Sequence, residues 1–174
     1  MMASFMQLWD SALVFIGEHT QFTALLVFVL GFCESIALVS LFVPSTVLFL
    51  GIGAVHSAAG GEFWPVWLDG SAGAAIGDCV SFAFGRYFRE DVGKVWPISN
   101  YPDLIPRGQT LFERWGILSI VGGKFIGGLR PFVPVVAGML SMPVGLFLLG
   151  SGVSSLIWAG FFLAPGYGMT FLMQ

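Results

Sequence analysis

The sequence predicts an all-α polytopic membrane protein built around proline-broken apolar segments, and three observations carry that prediction. Hydrophobic residues make up 56% of the 174-residue chain and charged residues only 10%, against about 25% charged in an ordinary soluble domain. Two apolar segments are interrupted by proline at corresponding places: a shift of 90 residues lays Phe132-Val133-Pro134 on Phe42-Val43-Pro44. Each segment carries a charge ten residues before its proline, Glu34 in the first and Lys124 in the second. Paired interrupted segments of this kind point to a transporter's internal repeat, with the binding site where the repeats meet.

The length suits one membrane domain, 1–174, and its elements follow from local pattern. In residues 5–20, Phe5, Leu8, Trp9, Ala12, Leu13 and Ile16 recur at helical spacing, which predicts an interfacial amphipathic helix. The stretch has no basic n-region and Asp10 interrupts its apolar part, so it is expected to stay on the mature chain. Residues 22–56 form the first broken segment. Its 34-residue run from Phe22 to Val55 holds one charge, Glu34. As a continuous helix it would reach roughly 50 Å, well beyond a hydrocarbon core of about 30 Å. Pro44, Ser45 and Thr46 supply the break, leaving either a full span plus a half-span or a re-entrant hairpin with these residues at its tip. A loop containing His56 follows, with Trp64 and Trp67 as interfacial aromatics; His19 and His56 read as solvated.

Residues 66–86 read as a transmembrane helix whose Gly70, Gly73, Ala74 and Gly77 form a small-residue packing face. Asp78 comes next, either a satisfied packing polar or a member of an ion path. Residues 86–115 are the one markedly charged segment, with Arg86, Arg89, Lys94, Arg107 and Arg114 supplying five of the seven basic residues. The positive-inside rule makes it a cytoplasmic loop, and Pro97, Pro102 and Pro106 are expected to break it into short pieces. Residues 116–142 form the second broken segment. The C-terminal transmembrane region, 143–173, carries no charge and has room for one full span and a second, partial one.

The chemistry concentrates in the second broken segment. Lys124 and Arg130 stand six residues apart beside Gly127, Gly128, Pro131 and Pro134. A charge at the bilayer centre costs roughly 2.5–3.5 kcal/mol on insertion scales, and irregular backbone survives at that depth only where protein or water satisfies it. The pattern predicts a polar cavity for an anion, with Lys124 and Arg130 as its candidate cations beside the broken backbone at Gly127 and Gly128. Glu34 is the expected proton-coupling or gating carboxylate. It would pair with Lys124 or Arg130 in the empty pocket and release that cation on protonation.

Several classes are disfavoured. A net charge of −3 without a basic tract argues against nucleic acid. Cys33 and Cys79 form no CxxC, and there is no zinc spacing, so no metal or cofactor is expected. Ser45, Thr46 and Ser141 lack a His–carboxylate pattern or a nucleophile elbow, so the chain is not expected to be an enzyme. The glycine faces can pack within a protomer or between two, which leaves a homo-oligomer open.

The chain resembles the DedA family of bacterial inner-membrane proteins, within the DedA/VTT-domain superfamily. The resemblance covers roughly residues 22–160. It rests on Glu34 ahead of FVPSTVLFLGIGA (42–54), on AGAAIGDCVSFAFGRYF (72–88) and on GKFIGGLRPFVPVVAGML (123–140). It implies two proline-broken re-entrant hairpins that face each other across a pocket, packed by transmembrane helices in a multi-pass protein of the bacterial inner membrane. It further implies a flippase activity, notably for undecaprenyl phosphate, with the proton motive force as the proposed driver and with membrane lipids, the lipid phosphate and protons as partners. Lys124 and Arg130 would then be the phosphate-binding cations, helped by amides freed at Gly127 and Gly128. Glu34 matches the family's first membrane carboxylate and Arg130 the arginine of its second hairpin. Lys124 stands where an arginine is usual, which keeps the charge but loses the planar fork. Thr46 stands where many members carry a second acid, and Asp78 is the candidate substitute. The alternatives are a proton-coupled small-solute or oxyanion transporter using the same cations, and a buried salt bridge that only fixes hairpin packing.

Overall fold

The computed structural model describes Val14 and residues 20–36, 45–89, 103–125, 130 and 132–172. Within these the chain is helical, with no strand: α1 Thr20–Ser35, α2 Ser45–Ala58, α3 Phe63–Phe88, α4 Leu104–Trp115, α5 Leu118–Gly123, α6 Phe132–Met139 and α7 Val144–Leu172. Most of the expected amphipathic helix of 5–20 lies outside the described residues, as do Pro44, Gly127, Gly128 and Pro131. Ser45 and Thr46 open α2, and Pro134 is buried inside α6.

Two long helices organise the rest. α3 (26 residues) and α7 (29 residues) are antiparallel: the start of α3 meets the end of α7 where Tyr167 donates to the Glu62 carbonyl, and Arg86 near the end of α3 donates to the Met142 carbonyl just before α7. Of the shorter helices, α1, α2, α5 and α6 each pack on one of these two, while α4 packs on α5 and α6. α1 runs parallel to α3, with a Cβ on Gly73 reaching 2.1 Å from the Phe28 carbonyl and one on Gly77 2.5 Å from that of Phe32. Only glycine permits that approach, which is why the small-residue face of α3 is needed. α2 runs parallel to α7, its Gly53 against Leu163 and its Leu50 carbonyl against Gly166. α6 crosses α3 through Gly85 and Gly138, and α5 lies along α7, with Ile117 and Ile120 against Gly150.

These contacts form a reciprocal pattern. The first short helix of each half packs on the long helix of its own half, α1 on α3 and α5 on α7. The second packs on the long helix of the other half, α2 on α7 and α6 on α3. α1 and α2 have their outer ends at the Phe63 end of α3, while α5 and α6 have theirs at the Phe88 end. The inner ends of both pairs meet halfway along the bundle.

The outward faces are apolar. Leu25 and Val29 of α1, Leu68, Ile76 and Val80 of α3, and Leu149, Val153 and Phe161 of α7 are all exposed. The interior mixes apolar side chains such as Phe49, Phe147 and Trp158 with glycines and with hydroxyls, among them Ser71, Ser81, Ser119, Ser151, Ser154 and Ser155. An apolar exterior over helices brought close through glycines suits a lipid solvent, where apolar surface gains little by burial and close packing supplies the cohesion. By length and composition α7 is long and apolar enough to cross a membrane, at Val144–Gly168, while α1 and α2 are shorter apolar helices.

Three expectations need correction. His56 is buried, not solvated, with its ring edge-on to Tyr167 at 6.2 Å. Pro106 does not break the charged segment; it sits in the first turn of α4, where the missing N–H has no intrahelical partner to lose. The C-terminal region is one long helix through Pro165 rather than one span and a partial second.

Candidate functional site

Two buried apolar clusters divide the bundle, and the ionisable residues lie between them. One cluster joins Phe49, Ile52, Ala74, Trp158 and Leu163; the other joins Phe82, Ile120, Ala137 and Phe147. On α3, Asp78 falls between Ala74 and Phe82. On α7, Ser151 and Ser155 fall between Phe147 and Trp158. Asp78 is 15 residues into α3, so a helical rise puts it roughly 22 Å from one end and 15 Å from the other.

Four ionisable side chains meet at this level as two ion pairs. Lys124, just past α5, places its Nζ 2.7 Å from Asp78 Oδ2, each side chain 2% exposed. The same ammonium donates to Ser155 Oγ at 2.5 Å, and Ser151 Oγ donates to Asp78 Oδ2 at 2.7 Å. The Lys124–Asp78 pair is therefore held in place by two hydroxyls of one α7 face. Glu34, at the last turn of α1, takes Arg130 as its partner through Oε1 and Nη1. The Arg130 guanidinium also lies over the indole of Trp158, 3.8 Å from the ring centroid. Ser155 and Trp158 are a turn apart on α7, so the two cations are seated about 4.5 Å apart along that helix.

The helix ends that carry these groups are anchored nearby. Ser81 Oγ donates to the Ser35 carbonyl at 2.9 Å, which satisfies an end carbonyl of α1 and sets Glu34 against α3. Val133 of α6 packs on Gly123, bringing the end of α5 beneath the start of α6.

The pairs differ in how fully they are satisfied. Arg130 keeps 13% of its side chain exposed, and its buried Nε and Nη2 find no hydrogen-bond partner among the described residues. Two donors of a planar fork are thus left over beside a carboxylate, which is the geometry that takes up a second anion in bidentate fashion. No cluster of metal-ligating side chains occurs among the described residues.

Of the residues singled out from sequence, the structure brings Glu34, Asp78, Lys124 and Arg130 to one level. It leaves Pro134 inside α6 as a packing residue. Ser151, Ser155 and Trp158 were not foreseen. Their signal was present as Ser151, Ser154 and Ser155 at helical spacing in an otherwise apolar and uncharged helix.

The fold and this level of paired charges define a helical membrane protein with an ionic cluster buried between two opposed helix pairs. The chain belongs to the VTT-domain family, the DedA family: the model described as VTT domain matches residues 43–168. It is 34% identical over 152 residues to the inner membrane protein YabI of Escherichia coli (strain K12), covering 87% of this chain and 60% of that one. An uncharacterized membrane protein of Buchnera aphidicola subsp. Schizaphis graminum is 30% identical over 161 residues, 92% of this chain and 63% of that one. The inner membrane protein YghB of Escherichia coli (strain K12) is 25% identical over 146 residues, 81% and 65% respectively. The chain thus spans about 60% of the length of YabI. No solved structure matches.

Proposed function

We propose that this protein translocates a lipid phosphate, either undecaprenyl phosphate or a phospholipid, across the bacterial inner membrane. In this reading the two helix pairs are re-entrant hairpins, and the head group crosses at their meeting point while the hydrocarbon chain stays in the bilayer. The observation that carries it is Arg130: a buried guanidinium with one donor on Glu34 and two donors unspent among the described residues. A phosphate oxygen pair would occupy those donors. Protonation of Glu34 would release the third and strengthen the hold on the ligand, which couples binding to protons. Lys124 plays a different part from Arg130 here, because Asp78 and Ser155 already occupy it. It anchors the second hairpin to α3 and α7.

The saturation of Lys124 also favours a second reading, in which the charge cluster only fixes the packing of the helix pairs. One-sided loss of a buried pair is costly whatever its role, so expression alone does not separate the two. The test is head-group flipping in liposomes by purified, monodisperse protein, wild type beside Arg130→Gln and Glu34→Gln. Undecaprenyl phosphate and a glycerophospholipid are compared with and without a pH gradient. Flipping by wild type that is lost in Arg130→Gln and follows the gradient supports the proposal. Undiminished flipping by Arg130→Gln would refute the assigned role, and no flipping by folded wild type would refute lipid translocation.

A further inference from the structure

A groove of about 580 Å³ opens on the outer surface between α3 and α7, near the Phe88 end of α3. Its walls include Phe82, Ala83 and Leu148, Cys79 lines its inner end, and Arg86 and Arg89 stand at the other. Cys79 to Arg86 is seven residues, about 10 Å of helix. The groove thus joins the level of Asp78, the neighbour of Cys79, to a pair of cations near the bundle's end. No acidic side chain lines it among the described residues. Tyr87 and Trp115 are exposed at the same end, as aromatics are at the headgroup level of a bilayer.

A slot with an apolar floor and a cationic mouth matches a molecule with a hydrocarbon chain and an anionic head. A soluble anion would leave the apolar floor unmatched, and a neutral lipid would leave the arginines unmatched. We propose that this groove holds one lipid with an anionic phosphate head group, its chain along Phe82, Ala83 and Leu148 and its head on Arg86 and Arg89. It is a lateral waiting position for the translocation site. The inference rests on the lipid-phosphate reading and adds the place where the lipid docks before its head group reaches Arg130. Arg86 already spends one donor on the Met142 carbonyl at 3.2 Å and lies over the Phe82 ring. It is therefore oriented across the groove mouth, with other donors of its fork left for a phosphate.

The test uses the full chain in nanodiscs doped with phosphatidic acid carrying a photoactivatable acyl tail, beside phosphatidylcholine with the same tail. Cross-linked peptides are mapped by mass spectrometry. The expected result is preferential labelling by phosphatidic acid, by tenfold or more, of peptides containing Phe82–Ala83 and Leu148. Arg89→Gln should bring phosphatidic acid labelling down toward the phosphatidylcholine level, and Ala83→Trp should remove it by filling the groove without changing charge. Arg86→Gln is avoided as the primary variant because it also loses the bond to Met142. Equal labelling by both lipids, or labelling indifferent to Arg89→Gln and Ala83→Trp, overturns the proposal in favour of ordinary annular lipid. Groove labelling is read without transport, so the two readings fail separately. Specific labelling with no flipping by wild type would retain the docking groove and reject translocation. Flipping that needs Arg130, without specific labelling, would do the reverse.

Discussion

Removing the Asp78 carboxylate tests the energetic account of the buried cluster. At 2.7 Å from Lys124 Nζ, with an effective dielectric near 20, the gross attraction is about 6 kcal/mol. Desolvating two ions costs several kcal/mol each, so the pair's net contribution lies near zero. Breaking it from one side is another matter. Asp78→Leu leaves the Lys124 ammonium, 2% exposed, with the Ser155 hydroxyl as its remaining partner among the described residues, and strands the Ser151 hydroxyl that had donated to the carboxylate. The expected loss is about 3–5 kcal/mol. Asp78→Leu combined with Lys124→Met removes both charges, and stability should return to within about 1 kcal/mol of wild type. The coupling energy from this double-mutant cycle should then exceed about 2 kcal/mol. The assay is unfolding in mild detergent by denaturant titration, followed by tryptophan fluorescence and by loss of the monodisperse elution peak. If Asp78→Leu unfolds at the same midpoint as wild type, or the double variant is no better than the single one, the pair is not buried and coupled in this way.

Other predictions follow from the same geometry. Gly85→Ala places a methyl 2.0 Å from the Val135 carbonyl, so α3 and α6 must separate and stability should fall by about 1–3 kcal/mol. Gly152→Ala meets nothing within 4 Å and should stabilise α7 by up to about 1 kcal/mol; thermal shifts of opposite sign in the two variants would check both. Trp158→Leu loses the face beneath Arg130, worth about 0.5–2 kcal/mol as a cation–π contact. Its loss should weaken phosphate-lipid binding more than it alters binding of a neutral lipid, as measured by native mass spectrometry. Ser155→Ala takes a hydrogen bond from Lys124 and should cost about 1.5–3 kcal/mol, but leave any Arg130-dependent flipping within a few-fold of wild type once the protein is folded.

Much of this protein was legible in sequence because its signals are local. An apolar fraction of 56% with 10% charge sets the membrane class whatever the tertiary structure. The spacing of Gly70, Gly73 and Gly77 marks a close-packing face on one helix, and the structure seats α1 there. Glu34, Asp78, Lys124 and Arg130 stand out because a charge in an apolar run is expensive and therefore conspicuous. The resemblance read from the motifs agrees with the VTT-domain match over residues 43–168.

Pairing was not legible, because it depends on which helix faces which. Sequence left Glu34 free to choose between Lys124 and Arg130 and left Asp78 without a partner. Only the packing of α1 and α6 on α3, and of α3 and α5 on α7, sends Glu34 to Arg130 and Asp78 to Lys124. Ser151, Ser155 and Trp158 acquire meaning the same way: they are ordinary residues of an uncharged helix until packing sets them against two cations. His56 was misjudged partly for this reason: its ring lies against nearby Gly61 but also edge-on to Tyr167, which lies 111 positions away in the chain. Composition and spacing decide what each segment must avoid, while the long-range contacts between segments decide which buried charges meet.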